Sequence, residues 1–202
     1  MKNAFTLAEI LITMGIIGVV SAMTVPALNQ SWQRDAYTTQ LRKVYSEVAQ
    51  AAVRLKTDKN VQSLTEARVT SDNIREEFIH KYFVVLKDCP IILGCFANSY
   101  KTVNGTNIVP SGDSFDLCSS SVIASGAALC YRVSGDRIRI IVDVNGVKEP
   151  NIFGRDVFAM EVLPNGKVQD PNNGSVFHPN ATKIRDTHAL GRIIKDGWKM
   201  TY

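Results

Sequence analysis

Phe5 to Leu28 reads FTLAEILITMGIIGVVSAMTVPAL, and from Ile10 to Gln33 no side chain carries a charge. A run of 18 or more apolar residues is long enough to cross a bilayer. As a helix rising 1.5 Å per residue, Ile10 to Leu28 extends roughly 28 Å, close to the ~30 Å thickness of the hydrocarbon layer. The rest of the chain therefore reads as a soluble domain attached to one apolar helix. Three readings of that helix compete. A secretory signal peptide would use Lys2 as its basic region and Val20-Ser21-Ala22 as its small-residue cleavage site. A plain single-span anchor would keep the segment whole. A cut ahead of the helix would leave the helix in the mature chain. Glu9 separates these readings, because a carboxylate just inside an apolar segment is costly unless partnered. Neither a signal peptide nor a plain anchor has a use for it.

Lys2-Asn3-Ala4, followed by Phe5-Thr6-Leu7-Ala8-Glu9 and an apolar run to Pro26, resembles the N-terminal signature of type IV pilins and type II secretion pseudopilins. The resemblance covers about the first 26 residues. In that family a prepilin peptidase cuts before the Phe and N-methylates the new terminus. Carried over, the cut falls between Ala4, where the family has Gly, and Phe5. Glu9 becomes the fifth residue of the mature chain, and Pro26 falls where the family carries a helix-loosening proline. The resemblance implies a leader over 1–4, a membrane and filament-core helix over 5–28, its amphipathic continuation over 29–56, and a globular domain over 57–202. It implies an assembly role for Phe5 and Glu9. The Phe5 amine created by the cut is a charge in or beside lipid, and pairing it with Glu9 of a neighbouring subunit removes two unpaired charges and sets a register. The competing use of Glu9 is snorkelling to the headgroups.

Beyond the helix the residues speak for themselves. The chain has 202 residues, room for a membrane helix and one domain of ordinary size, and its formal charge of +4 is too small to imply a nucleic-acid partner. Its four cysteines, Cys89, Cys95, Cys118 and Cys130, all follow the apolar segment. An even count beyond an export signal favours disulfides. Zinc is the rival, but there is no CxxC pair and no nearby histidine. Local pairs, Cys89–Cys95 and Cys118–Cys130, are preferred among the three connectivities that four cysteines allow.

Asn29 to Lys56 is an amphipathic helix, with Tyr37, Leu41, Val44, Tyr45, Val48, Ala52 and Leu55 on one apolar stripe; one unbroken helix of about fifty residues is what the resemblance implies, and two helices separated at Pro26 are the alternative. Thr57 to Thr70 is a loop. Ser71 or Asp72 caps a second helix carrying Ile74, Phe78, Tyr82 and Leu86, with His80 as a surface residue. Cys89 to Cys118 reads as loops with short strands. Arg137 to Val168 reads as an antiparallel meander, Ile138, Ile140, Val142 and Val144 facing the core. Its turns are Asn145-Gly146 and Pro164-Asn165-Gly166-Lys167. Thr182 to Lys195 forms a short helix, and Trp198 to Tyr202 a last strand.

No enzyme constellation emerges. His80, His178 and His188 stand apart in sequence, and neither a phosphate loop nor a GxSxG or HExxH motif is present. Asp143, Asn145, Asn151 and Asp156 are candidate calcium ligands, hard oxygen donors in a loop of the kind several pilins use. Their spacing departs from the EF-hand, and Asn-Gly also explains itself as a turn. Lys183, Arg185, Arg192, Lys195 and Lys199 form a solvated basic tail rather than a nucleic-acid strip, with Asp186 and Asp196 among them.

The expected fold is α+β, a long N-terminal helix on a C-terminal antiparallel sheet, as in pilins. The expected function is structural: a subunit, major or minor, drawn from the bacterial inner membrane into a periplasmic or surface filament. Its partners are other pilin or pseudopilin subunits, the prepilin peptidase, the inner-membrane assembly platform and membrane lipid, with no small-molecule substrate. The leading alternative is a membrane-anchored extracytoplasmic binding module that does not polymerise. A secreted protein freed of a signal peptide is the third class.

Overall fold

The computed structural model describes residues 6–89, 94–109, 115 and 118–202. One helix, α1, runs Leu7–Lys59 through Pro26. Its residues up to Ala36 belong to one compact unit and those from Tyr37 onward to a second. In the second unit the helical stripe is the one the periodicity predicts. Leu41, Val44, Val48, Ala52 and Leu55 are buried, joined by Ala51, and Tyr37 and Tyr45 pack at the margin. Full burial of a side chain the size of Leu or Val contributes about 1.5–3 kcal/mol, so this stripe is a principal attachment of the helix to the domain.

What the stripe packs on is a six-stranded antiparallel sheet. Its strands are β1 (Val85–Cys89), β4 (Ser119–Ile123), β5 (Ala128–Ser134), β6 (Arg137–Asp143), β7 (Val157–Val162) and β8 (Val168–Gln169), adjacent in that order. A separate two-stranded ribbon pairs β2 (Tyr100–Lys101) with β3 (Asn107–Ile108). Strand alternation divides the sheet into two faces. Leu129, Tyr131, Ile138, Ile140, Val142, Phe158, Met160 and Val162 share a core with α1. On the other face Cys130, Ile141, Val157 and Ala159 join Phe96, Tyr100, Phe115 and Phe153. The fold is therefore α+β, with the sheet covered on both sides over its middle.

Both disulfides form as the sequence favours. Cys89 at the end of β1 joins Cys95, and Cys118 ahead of β4 joins Cys130 in β5, with Cα separations of 6.0 and 5.5 Å. Alkylation of the denatured, unreduced protein should leave all four cysteines unmodified. Reduction should lower stability by about 2–3 kcal/mol for each loop opened. Free thiols at Cys89 and Cys95 would contradict the pairing.

Several elements differ from the sequence reading. The second helix is a π-helical segment, Arg75–His80, and it has no side-chain cap. Ser71 instead donates to the Val133 carbonyl across the sheet, and Asn73 Oδ1 receives the Thr70 N–H. Ile74 and Phe78 are buried as expected, but Leu86 belongs to β1 and is exposed. Asn145-Gly146 does not close a tight hairpin. The β6–β7 connection runs from Val144 to Asp156, because the Asn145 amide donates onward to the Lys148 and Glu149 carbonyls at 2.9 and 3.1 Å and holds a wider loop. The Pro164–Lys167 turn does form, with Gly166 N–H donating to the Leu163 carbonyl. Residues 182–195 split into a 3₁₀ turn, Ile184–Thr187, and a helix, α2, Ala189–Lys195. The last segment is not a strand. Gly197 N–H donates to Ile194 O and Trp198 N–H to Ile193 O, with Gly197 at φ +69°, the bond pair that ends a helix in a Schellman motif. Trp198 is then held by Tyr45, edge to face at 5.2 Å, and by the Arg42 guanidinium 5.7 Å above its ring.

Candidate functional site

The apolar half of α1 begins with a reciprocal cap. Glu9 N–H donates to Thr6 Oγ1 at 3.3 Å, while the Thr6 N–H and hydroxyl both donate to Glu9 Oε2 at 2.8 Å. Thr6-Leu7-Ala8-Glu9 is thus a capping box, satisfying donors that a helix start otherwise leaves open. That role is legible in the T-x-x-E spacing and is a use of Glu9 besides charge pairing and snorkelling. Ala4 and Phe5, the expected processing residues, and with them the Phe5 partner in the expected Glu9 pairing, lie outside the described residues.

Thr6 to Pro26 is exposed on every side of the helix. The two threonine hydroxyls inside the helix are hidden locally, Thr13 donating to Ile10 O and Thr24 to Val20 O, both at 2.9 Å. Such back-bonding lets threonine sit in an apolar helix without a free polar group. A Cβ placed at Gly15 or Gly18 would meet nothing within 4 Å. Glycine costs helix stability, and among the described residues no packing requires it at these two positions.

The candidate calcium residues come together at one end of the central sheet. Asp143 ends β6 and Asp156 precedes β7, and both are fully buried. Asp143 Oδ2 accepts the Tyr100 hydroxyl at 2.8 Å, and Oδ1 faces the Asn145 N–H at 3.3 Å. Asp156 accepts the N–H groups of Asn151 and Ile152 at 2.7 Å each. Burial, with the Asp156 charge beside it, pushes Asp143 up to about 8. Burial likewise raises Asp156 to about 6 against its backbone N–H donors. Burial and Asp143 push the Tyr100 phenol far up, so it stays a donor. The side-chain oxygens Oδ1 of Asn145 and of Asn151 are buried without a hydrogen-bond partner. Two crowded carboxylates and two spare amide oxygens are the donor types a hard cation takes. Without a cation, the same pair is held by protonation and by its N–H and O–H donors.

The histidines are less isolated than their sequence positions suggest. His80 lies between Glu76 at 3.1 Å and Asp88 at 2.8 Å. Asp88 also receives the buried Ser121 hydroxyl, which in turn contacts the Tyr131 hydroxyl at 2.7 Å. Burial pulls Asp88 up, but the Ser121 and His80 contacts together leave it below the ordinary carboxylate range. Here the hydroxyl is bonded to the carboxylate and not to the imidazole, so the order is not that of an activated nucleophile. The network ties the π-helical segment to β1, β4 and β5. His188 holds the buried Asp170 at 2.6 Å, and its ring stands edge-on to His178 at 5.7 Å. Among the described residues, no three or more His, Cys, Asp or Glu side chains form a group able to hold a metal ion.

No protein-family model, curated protein or solved structure matches the chain.

Proposed function

We propose that the chain is a structural subunit, major or minor, of a type IV pilus or a type II secretion pseudopilus. The observation that carries this reading is the single helix Leu7–Lys59. Its first half is apolar and exposed all round behind a capped carboxylate, and its second half is built into the core of an α+β domain. An apolar helix exposed on every side needs lipid or other helices around it. In this reading it has both in turn: inner-membrane lipid before assembly and neighbouring subunits afterwards. Gly15 and Gly18, unexplained by packing among the described residues, let those neighbours approach closely. Disulfides in the domain suit an oxidising space beyond the membrane. The peptidase and the assembly platform are the other partners. Within this reading Asp143, Asp156, Asn145 and Asn151 would hold a calcium ion, which would supply the positive charge the two carboxylates otherwise obtain by protonation.

The experiment is the intact mass of native protein from the membrane fraction. The expected N-terminus is a methylated Phe5. A start at Met23 supports the secreted reading instead, and an intact Met1 the anchored binding module.

A further inference from the structure

β8 is the last strand of the sheet, and among the described residues no strand pairs with its outer edge. Hydrogen-bonded and non-hydrogen-bonded pairs alternate along an antiparallel ladder. Leu163 N–H donates to Lys167 O, while Val162 lies opposite Val168 and Glu161 opposite Gln169. Val162 and Val168 are therefore a non-hydrogen-bonded pair, and the N–H and C=O of Val168 point away from β7. The carbonyl accepts the Tyr45 hydroxyl at 2.9 Å. The N–H has no acceptor among the described residues, although Val168 is only 3% exposed. Buried backbone donors rarely go without one.

A cleft of about 320 Å³ runs beside this edge, between β8, residues 173–175 and α2. The Val168 side chain lies in the core shared with α1, so what this residue turns to the cleft is its backbone. Lys167 and Lys195 line the cleft, and both are exposed. Neither has an ion pair or a side-chain hydrogen bond among the described residues, and the side chains of Gln169 and Ser175 are equally unengaged. Asp170 is the one carboxylate among the described residues of the lining. It is taken up by His188 at 2.6 Å and by the Gly191 N–H at 3.0 Å. Asp196, next to Lys195 in sequence, is bonded to Arg192 and to Thr201. The cleft thus presents two unpaired ammonium groups and a free strand N–H, and its own carboxylate is already satisfied.

We propose that this cleft docks an extended acidic segment of another protein, laid along the β8 edge. A carbonyl of the segment accepts the Val168 N–H, the type of bond by which a strand is added to a sheet edge. Carboxylates on alternate residues of the segment share one of its faces and meet Lys167 and Lys195, whose charge selects an acidic partner. A second copy of this chain does not supply such a segment. Its one pair of adjacent carboxylates, Glu76-Glu77, lies in the π-helical segment, where Glu76 holds His80 and Glu77 holds Lys59. Docking at β8 uses no residue of the apolar half of α1, so it is independent of the filament reading.

The probe is a hexapeptide of alternating glutamate and threonine, titrated by calorimetry into the full-length chain in uncharged detergent micelles. Saturable binding is expected, weakened at least about fivefold by Lys167→Gln combined with Lys195→Gln. It should be unchanged by Lys43→Gln, an exposed lysine on α1. Both cleft lysines are exposed, so the combined variant should keep the wild-type urea midpoint. Hydrogen exchange at the Val168 amide should slow in the complex, an effect that charge attraction alone does not produce. The same peptide with lysine in place of glutamate should not bind. Absence of saturable binding, equal binding of the lysine peptide, equal loss in Lys43→Gln, or binding that leaves Val168 exchange unchanged overturns the proposal.

Discussion

Glu9→Gln should reach the membrane and be processed like the wild type, yet fail to enter filaments. The substitution separates two uses of one side chain. The capping box needs an acceptor at Glu9 for the Thr6 N–H, and a glutamine oxygen supplies it as well as a carboxylate does. Pairing with the Phe5 amine of a neighbouring subunit needs the charge, which glutamine lacks. All three bonds of the cap involve Thr6, and the two that Glu9 accepts both end on Oε2. Oε1 makes no bond among the described residues, so cap and intersubunit pair can coexist. Glu9→Ala removes both and should additionally fray the first turn. Neither change touches the folding of 57–202, because the bonds of Glu9 stay within the first turn. Loss of a charge from lipid leaves insertion as good or better. Leaving the partner amine unpaired in the filament core repeats at every interface. The readout is the sheared or periplasmic filament fraction from cells expressing each variant at equal level. Both variants should fall at least about tenfold below the wild type. Wild-type assembly of Glu9→Gln beside failure of Glu9→Ala would reduce Glu9 to a helix cap. Full assembly of both would leave Glu9 as a snorkelling residue with no part in assembly, and absence of wild-type filaments would favour the anchored binding module.

Where the chain repeats a pattern, the pattern was readable. The stripe from Leu41 to Leu55 recurs at three and four residues, and burial follows it. Ile138, Ile140 and Val142 alternate, and they form the face of β6 turned to α1. What escaped depends on partners distant in sequence. β4 begins Ser119-Ser120-Ser121, which looks like loop, yet Ser121 is buried because Asp88 and Tyr131 satisfy its hydroxyl. A signal for the following hairpin was present: Gly135-Asp136 joins β5 to β6 as a two-residue turn, with Gly135 at φ +64°. Asn145-Gly146 gave the opposite error, since a strong local turn signal was overridden by the longer-range bonds of the Asn145 amide. Trp198 to Tyr202 has strand-like residues, but the helix stop at Gly197 sends Trp198 onto Tyr45.

The candidate sites divide along the same line. Thr6 and Glu9 are three apart on one helix, so their relation is fixed by helical geometry and can be read directly. The sequence marks Asp143 and Asp156 as oxygen donors but does not show that both are buried. That follows from the pairing of β6 with β7, which sets Asp143 opposite Val157. The cleft at β8 is of the same kind. The Val168 N–H turns outward through strand register alone, and Lys195 reads in sequence as part of a solvated tail.

The buried carboxylate pair should make the domain more stable in mild acid than at alkaline pH, and Asp143→Asn should abolish much of that dependence. Asp143 is raised from its ordinary 3.8 to about 8 in the folded chain. The folded state therefore holds the Asp143 proton across a range in which the unfolded state has released it. The stability this contributes is complete below about 4 and is lost as pH rises toward 8, a change on the order of 6 kcal/mol if the full shift is expressed. Asp156 and Asp170, each raised to about 6, act in the same direction at lower pH. Asp88, Glu77 and Asp196 are lowered and act in the opposite sense, but only as pH falls toward their own range near and below 4. Urea midpoints of the full-length chain in micelles, measured between pH 5.5 and 8, isolate the first effect. Asparagine at 143 cannot ionise, its oxygen can still accept the Asn145 N–H, and its amide can donate to the Tyr100 oxygen. The variant should equal or exceed the wild type at pH 8, with a flatter profile and the remaining slope due to Asp156 and Asp170. Millimolar calcium at pH 8 should raise the wild-type midpoint toward its value in mild acid and leave Asp143→Asn nearly unmoved. A flat wild-type profile would show that the pair is not strained by charge. A sloping profile that calcium does not change would assign the loop to protonation and hydrogen bonds alone.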